Sequence, residues 1–111
     1  MSWVFGIAGD TSLINKSNLN LPKEIKFKYQ TSNVLIYADG INETTICKAL
    51  SENSGFIVVG LGIKSISDKF GFINADEWEK IISWKNIEDL KLNGHYVVIK
   101  YNKDFIKILN L

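Results

Sequence analysis

Phe56-Ile57-Val58-Val59-Gly60-Leu61-Gly62-Ile63 is an apolar run interrupted only by two glycines. A strand with one wet face alternates polar and apolar residues, whereas a strand covered on both faces need not. The run therefore predicts a central strand lying between two layers. Gly60 and Gly62 predict a bulge or a close backbone approach. They do not form a dinucleotide-binding fingerprint. Gly60-Leu61-Gly62-Ile63-Lys64-Ser65 lacks the third glycine, and no helical period follows directly.

The neighbours of this run are also strands. Val97, Ile99 and Tyr101 share one face of a strand, and Tyr96, Val98 and Lys100 share the other. Asn102-Lys103-Asp104 supplies turn residues, and Phe105 to Leu109 returns as the second arm of a hairpin. Upstream, residues 2–8 form a first strand, and residues 10–22 read as a loop ending in Leu21-Pro22. Ile25 to Tyr29 alternates apolar residues with lysine, and Asn33 to Ala38 is an apolar strand closed by Asp39-Gly40. Thr44, Thr45 and Ile46 are β-branched and tip residues 44–49 towards strand, with a short helix over 47–53 as the alternative.

A single helix is predicted, over residues 75–84. Asn74 suits the N-cap, and Glu77 three residues later completes a capping box. Asp76 and Glu77 also suit the positive end of the helix dipole. Trp78, Ile81 and Ile82 then fall on one face. Residues 86–93 link it to the last hairpin.

At 111 residues, with 46 % hydrophobic content and 12 % aromatic residues, the chain suits one domain around one core. One proline and eight glycines give no sign of disorder. Net charge is +1, and the lysines are interspersed with acids, so no nucleic-acid footprint is present. The densest basic group, Lys23, Lys26 and Lys28, reads as a solvated strand face. The single cysteine, Cys47, excludes an internal disulfide and reads as a half-buried structural thiol. The opening apolar run is too short for a signal-peptide core or a membrane span, so a cytoplasmic protein is expected. Asn15-Lys16-Ser17 and Asn42-Glu43-Thr44 match the glycosylation pattern by chance under that expectation.

Three stretches, taken together, suggest a family. The chain opens Met1-Ser2-Trp3-Val4-Phe5-Gly6-Ile7-Ala8-Gly9. It continues through Phe56 to Ile63 and then Phe72-Ile73-Asn74-Ala75-Asp76-Glu77-Trp78. It ends on Leu92-Asn93-Gly94-His95-Tyr96 and the hairpin that follows. In order and spacing these resemble the class II glutamine amidotransferase domain, the N-terminal-nucleophile domain of asparagine synthetase-related proteins. That family begins Met-Cys-Gly-Ile, and a Leu-x-Gly-x-Phe-Ala signature opens its hairpin. The resemblance implies an α+β fold, mostly antiparallel sheet, as a reduced or truncated form of the family's four-layer sandwich. It also implies one amidotransferase-like domain over residues 1–111, forming the N-terminal part of a longer protein.

On that resemblance Ser2 stands at the nucleophile position. It would act only if Met1 were removed, leaving an α-amine to serve as base for its own side chain. Asn74 lies near the family's Asn-Gly-Glu oxyanion segment, and Gly60 lies in the strand soon after which the family places its arginine clamp; both are candidate substrate-binding positions. Three elements are changed together. The nucleophile is serine where the family has cysteine, and Asn74 is followed by Ala75 where the family has glycine. The third is the clamp: the chain contains no arginine, all thirteen basic residues being lysine. The family holds the glutamine α-carboxylate with arginine, whose rigid fork lysine does not reproduce. Acyl transfer needs nucleophile and oxyanion stabilisation together, so the expectation is a pseudoenzyme without glutaminase activity.

The implied role is an accessory domain, structural or substrate-recognising, of an ATP-dependent amide-forming synthetase. No Ser-Gly-Gly-x-Asp nucleotide loop is present, so the synthetase domain would be supplied in cis or in trans. The implied partners are that domain and a peptide substrate, together with a second copy through an exposed sheet edge. No cofactor, metal, nucleic-acid or membrane partner is expected. Asp39, Glu43, Asp76 and Glu77 lack a second ligand type at useful spacing. His95, the only histidine, reads as a structural or surface residue, and Trp3, Trp78 and Trp84 read as core before they read as a pocket. The alternatives are an N-terminal Ser2 hydrolase or amidase, and a free-standing small binding protein.

Overall fold

The computed structural model describes residues 2–11, 25–41, 44–66, 69–84 and 93–110. The stretches predicted as a loop over 10–22 and as a link over 86–93 lie almost wholly outside them. Among these residues eight strands and one helix follow in the order β1 (Trp3–Ala8), β2 (Phe27–Gln30), β3 (Val34–Asp39), β4 (Thr45–Ser51), β5 (Ser54–Ile66), β6 (Lys69–Phe72), α1 (Ala75–Trp84), β7 (Asn93–Asn102) and β8 (Ile106–Asn110). Every described strand pairing is antiparallel. The α+β class expected from the sequence is the class observed.

The strands form two sheets. The smaller has the order β1-β3-β2. The larger has the order β4-β5-β7-β8, and β6 pairs with β5 beyond the end of β4. The 13-residue β5 is the spine of the larger sheet and pairs with β7 from Ser54↔Asn102 to Ile63↔Asn93.

Alternation along β5 and β7 divides the apolar residues between two cores. Phe56, Val58, Tyr96 and Val98 face one side and pack with Ile73, Trp78 and Ile82 beneath α1. Ile57, Ile99 and Tyr101 face the other side and pack with Val34, Ile36 and Ala38 of β3. The order of layers is therefore small sheet, large sheet, helix. The Phe56–Ile63 run is apolar at every non-glycine position because it is covered on both faces, as the sequence predicts.

Local chemistry sets α1 in place. The Glu77 amide donates to Asn74 Oδ1 at 2.9 Å, and the Asn74 amide donates to Glu77 Oε1 at 3.3 Å, closing the capping box. Lys64 of β5 holds Glu77 at 2.6 Å, while Lys48 of β4 holds Asp76 at 3.0 Å and Glu79 at 2.5 Å. Lys64 and the Asn74 amide together hold the Glu77 carboxyl below its ordinary range. These partly exposed pairs fix the orientation of the helix and add little stability. The apolar face carries the energy, with the Trp78 ring edge-on to Tyr96 at 5.1 Å.

In the core between the sheets, Tyr101 packs against Tyr29 at 4.7 Å and Phe27 at 5.7 Å. Burial pushes its hydroxyl up to about 12, with smaller contributions from Tyr29 and Cys47. The folded protein therefore binds this proton more tightly than the unfolded chain does. The associated stability is whole below pH 10 and is lost as pH rises from 10 through 12. It amounts to roughly 2–3 kcal/mol. Urea midpoints measured from pH 9 to 12 should fall more steeply for the native chain than for Tyr101→Phe; equal slopes would refute the assignment.

Candidate functional site

Ser2 immediately precedes β1, whose first pair, Trp3↔Asp39, brings it beside Gly40 at the end of β3. Thr45, 1 % exposed at the start of β4, donates its hydroxyl to Ser2 Oγ at 2.7 Å. The Ser2 and Thr44 hydroxyls share a second hydrogen bond of 2.7 Å, in which either oxygen can donate. Gly40 makes this closure possible. Its φ is +149°, and a Cβ there would stand 2.5 Å from Ser2 Oγ and 2.9 Å from Ser2 Cα.

The same corner reaches one further predicted position. The Gly60 amide donates to the Thr44 carbonyl at 2.9 Å. Ser2 and Gly60, 58 positions apart in sequence, thus meet through Thr44. Lys26 reaches across to donate to the Thr45 carbonyl at 2.9 Å. Cys47, two residues further along β4, is half-buried; burial pushes its thiol up, outweighing the opposing pull of Lys26. It is held as the thiol, not as a nucleophilic thiolate.

Asn74 does not join this corner. Its side-chain carbonyl is used in the α1 cap, and among the described residues no hydrogen bond links it to Ser2 or Gly60. His95 is exposed on β7 opposite Leu61. Trp78, on α1, is buried in the core between that helix and the large sheet, while Trp3 is half-buried at the start of β1 in the small sheet; the Trp84 side chain lies outside the described ones. Among the described residues no group of three histidine, cysteine or acidic side chains could hold a metal ion. No helix among them is long and apolar enough to cross a membrane.

Chemically, the Ser2 corner is a relay of three hydroxyls. Activating a serine needs a base within hydrogen-bond reach, itself oriented by a third group. Here both hydrogen bonds of the Ser2 hydroxyl go to threonines of ordinary basicity.

Two features were not read from the sequence. Strand β6 places Phe70 and Phe72 on one face, 77 % and 63 % exposed. With Ile63, Gly71 and Asn93 they border a cavity of about 440 Å³. A second cavity, of about 300 Å³, opens between the sheets and is lined by Val4, Gly6, Ala8, Ile36, Ile99, Ile106 and Ile108. The spacing Val4, Gly6, Ala8, with small residues at alternate positions of a strand, was the signal for the second.

No protein-family model matches the chain, and neither a curated protein nor a solved structure is detectably similar to it.

Proposed function

We propose that this chain is a non-catalytic, glutamine amidotransferase-like accessory domain that works by packing on an ATP-dependent, amide-forming synthetase domain. The observation that carries the reading is the Ser2 corner, where the hydroxyl at the nucleophile position is tied between Thr44 and Thr45. The corner joins β1, β4 and, through Gly60, β5. Its role is to close one end of the sandwich. The lack of arginine supports the same conclusion, because a glutamine α-carboxylate is left without its bidentate clamp.

Two antiparallel sheets packed face to face, with a helix on one outer face, suit a reduced form of that family's sandwich. The exposed aromatic pair Phe70 and Phe72 supports a role in binding a partner.

Glutamate release from glutamine, followed for the native chain and Ser2→Ala with intact mass on each sample, tests the reading. Neither protein should release glutamate above background, and the Ser2→Ala thermal midpoint should fall, since Thr45 loses its acceptor at a cost of about 1–3 kcal/mol. Release that vanishes in Ser2→Ala, from protein lacking Met1, would overturn the proposal in favour of an N-terminal serine hydrolase. The reading frame beside this one separates the accessory role from that of a free-standing binding protein: a synthetase supports the first, and an unrelated effector the second.

A further inference from the structure

We infer that Asn93-Gly94, at the start of β7, is a site of spontaneous covalent modification, where Asn93 loses its side-chain amide through a cyclic imide, a property independent of the proposed accessory role. The Gly94 backbone nitrogen attacks Asn93 Cγ. The bond from Cγ to the side-chain nitrogen breaks, and that nitrogen leaves as ammonia with the proton given up by Gly94. Water then opens the imide at one of its two carbonyls. Opening at the side-chain carbonyl gives aspartate. Opening at the main-chain carbonyl gives isoaspartate, in which the backbone runs through the side-chain carbon. Water is the only co-reactant.

Three observations select this residue. Asn93 stands before a glycine, in the one Asn-Gly pair of the chain, so no side chain screens the attacking nitrogen and the backbone there turns freely. Its own amide is also open. Asn93 is exposed, and among the described residues no hydrogen bond holds its side chain. Other asparagines are engaged. Asn33 Nδ2 donates to Asp104 at 3.1 Å, and the side-chain oxygens of Asn74 and Asn102 accept backbone amides at 2.9 Å and 2.8 Å. Asn53 is exposed but precedes Ser54, whose side chain crowds the nitrogen.

The ladder supplies the third observation. The Gly62 carbonyl accepts from the Ile73 amide at 2.9 Å, on the edge of β5 away from β7. Antiparallel pairs alternate between those that exchange hydrogen bonds and those that do not. Gly62↔Gly94 is therefore a pair without them, and the Gly94 amide turns away from β5. On the other side of β7, β8 reaches only Val97↔Asn110 among the described residues. Attack by the Gly94 nitrogen thus breaks no described ladder bond of its own. Ile63↔Asn93 is the last pair between β5 and β7, so rotation of Asn93 into the closing geometry opens a ladder end and not its middle.

Either product places a carboxylate beside Phe70 and Phe72, with which Asn93 borders a cavity, and cancels the formal net charge of +1. Isoaspartate also lengthens the backbone by one carbon and takes Asn93 out of register with Ile63.

The test incubates the whole chain in heavy-oxygen water at neutral and at alkaline pH, with the same chain unfolded in urea beside it. Peptide mapping by mass spectrometry follows each asparagine, and isoaspartyl-specific carboxyl methylation counts the rearranged product. The expected result is loss of the Asn93 amide in the folded chain, with heavy oxygen taken up and both aspartyl and isoaspartyl products formed. Loss should be faster at alkaline pH, because the attacking nitrogen must give up its proton. Asn33, Asn74 and Asn102 should keep their amides over the same period. Asn93→Gln, whose longer side chain closes a less favoured ring, should keep its amide. The inference is overturned if Asn93 keeps its amide in the folded chain while losing it in urea, or if aspartate forms without isoaspartate. Equal loss at Asn33, Asn74 and Asn102, or equal loss from Asn93→Gln, would overturn it as well.

Discussion

Trp78→Ala should destabilise the protein by about 3–5 kcal/mol, the usual cost of deleting a fully buried indole. Trp78 has no exposed surface and is the largest wholly buried side chain among the described residues. Its ring meets Tyr96 edge-on at 5.1 Å and lies over Gly62, where an added Cβ would fall within 2.5 Å of the indole. Among the described residues, no neighbour is placed to fill the space. Gly62 has no side chain to extend, and Ile73 and Ile82 are already packed in the same cluster. Small domains have only about 5–15 kcal/mol of net stability, so the variant should sit near the edge of folding at room temperature. Urea unfolding followed by far-UV circular dichroism measures the effect. Phe72→Ala, which removes a ring that is 63 % exposed, should stay within about 0.5 kcal/mol of the native chain. A loss below about 1 kcal/mol for Trp78→Ala would mean that α1 is not seated on the large sheet through this residue.

Gly60→Val should cost roughly 3–5 kcal/mol, combining backbone strain with overpacking. Gly60 has a φ of +107°, which L side chains rarely adopt. A Cβ there would point into β7, against the His95 carbonyl and 2.8 Å from Tyr96 Cα. The obstruction is backbone, so it cannot rotate away. Relief would require β5 and β7 to separate at Gly60↔Tyr96, in the middle of their ladder. Gly71→Ala is the matching control. Its nearest neighbour would be the flexible Lys64 Cε at 3.5 Å, and it should be nearly neutral. Equal midpoints for the two variants would remove the case for a close approach at Gly60.

The elements legible in the sequence are those whose signal is local. The α1 helix is announced by a capping box and an apolar face within ten residues, and the structure places it at Ala75–Trp84. Phe56–Ile63 is legible as a strand covered on both faces, because a run with no polar break would otherwise leave one apolar face in water. The two faces of β7 separate as alternation predicts, Tyr96 and Val98 towards the helix and Val97, Ile99 and Tyr101 towards the small sheet. Strand β6 was not legible. It has four residues, pairs among the described residues only with the far end of β5, and turns its two phenylalanines outwards, so its pattern carries no burial signal. The Ser2 corner was legible only in half. The residue could be singled out, but its partners Thr44 and Thr45 lie 42 and 43 positions away and are brought in by sheet pairing. Asn74 shows the opposite case, where its local role as a cap accounts for the residue and leaves no hydrogen bond to the Ser2 corner.

The position of β5 between two cores has a consequence for how the molecule opens. Here Phe56 and Val58 serve the helix core while Ile57 serves the core between the sheets, on consecutive residues of one strand. Neither layer can detach without exposing a face of the same strand to water. Amide protons along Phe56–Val59 should therefore exchange with deuterium only when the whole domain unfolds, at a free energy equal to the global value. Those of β6, held on one side and capped by exposed rings, should exchange through small local openings that leave both cores closed.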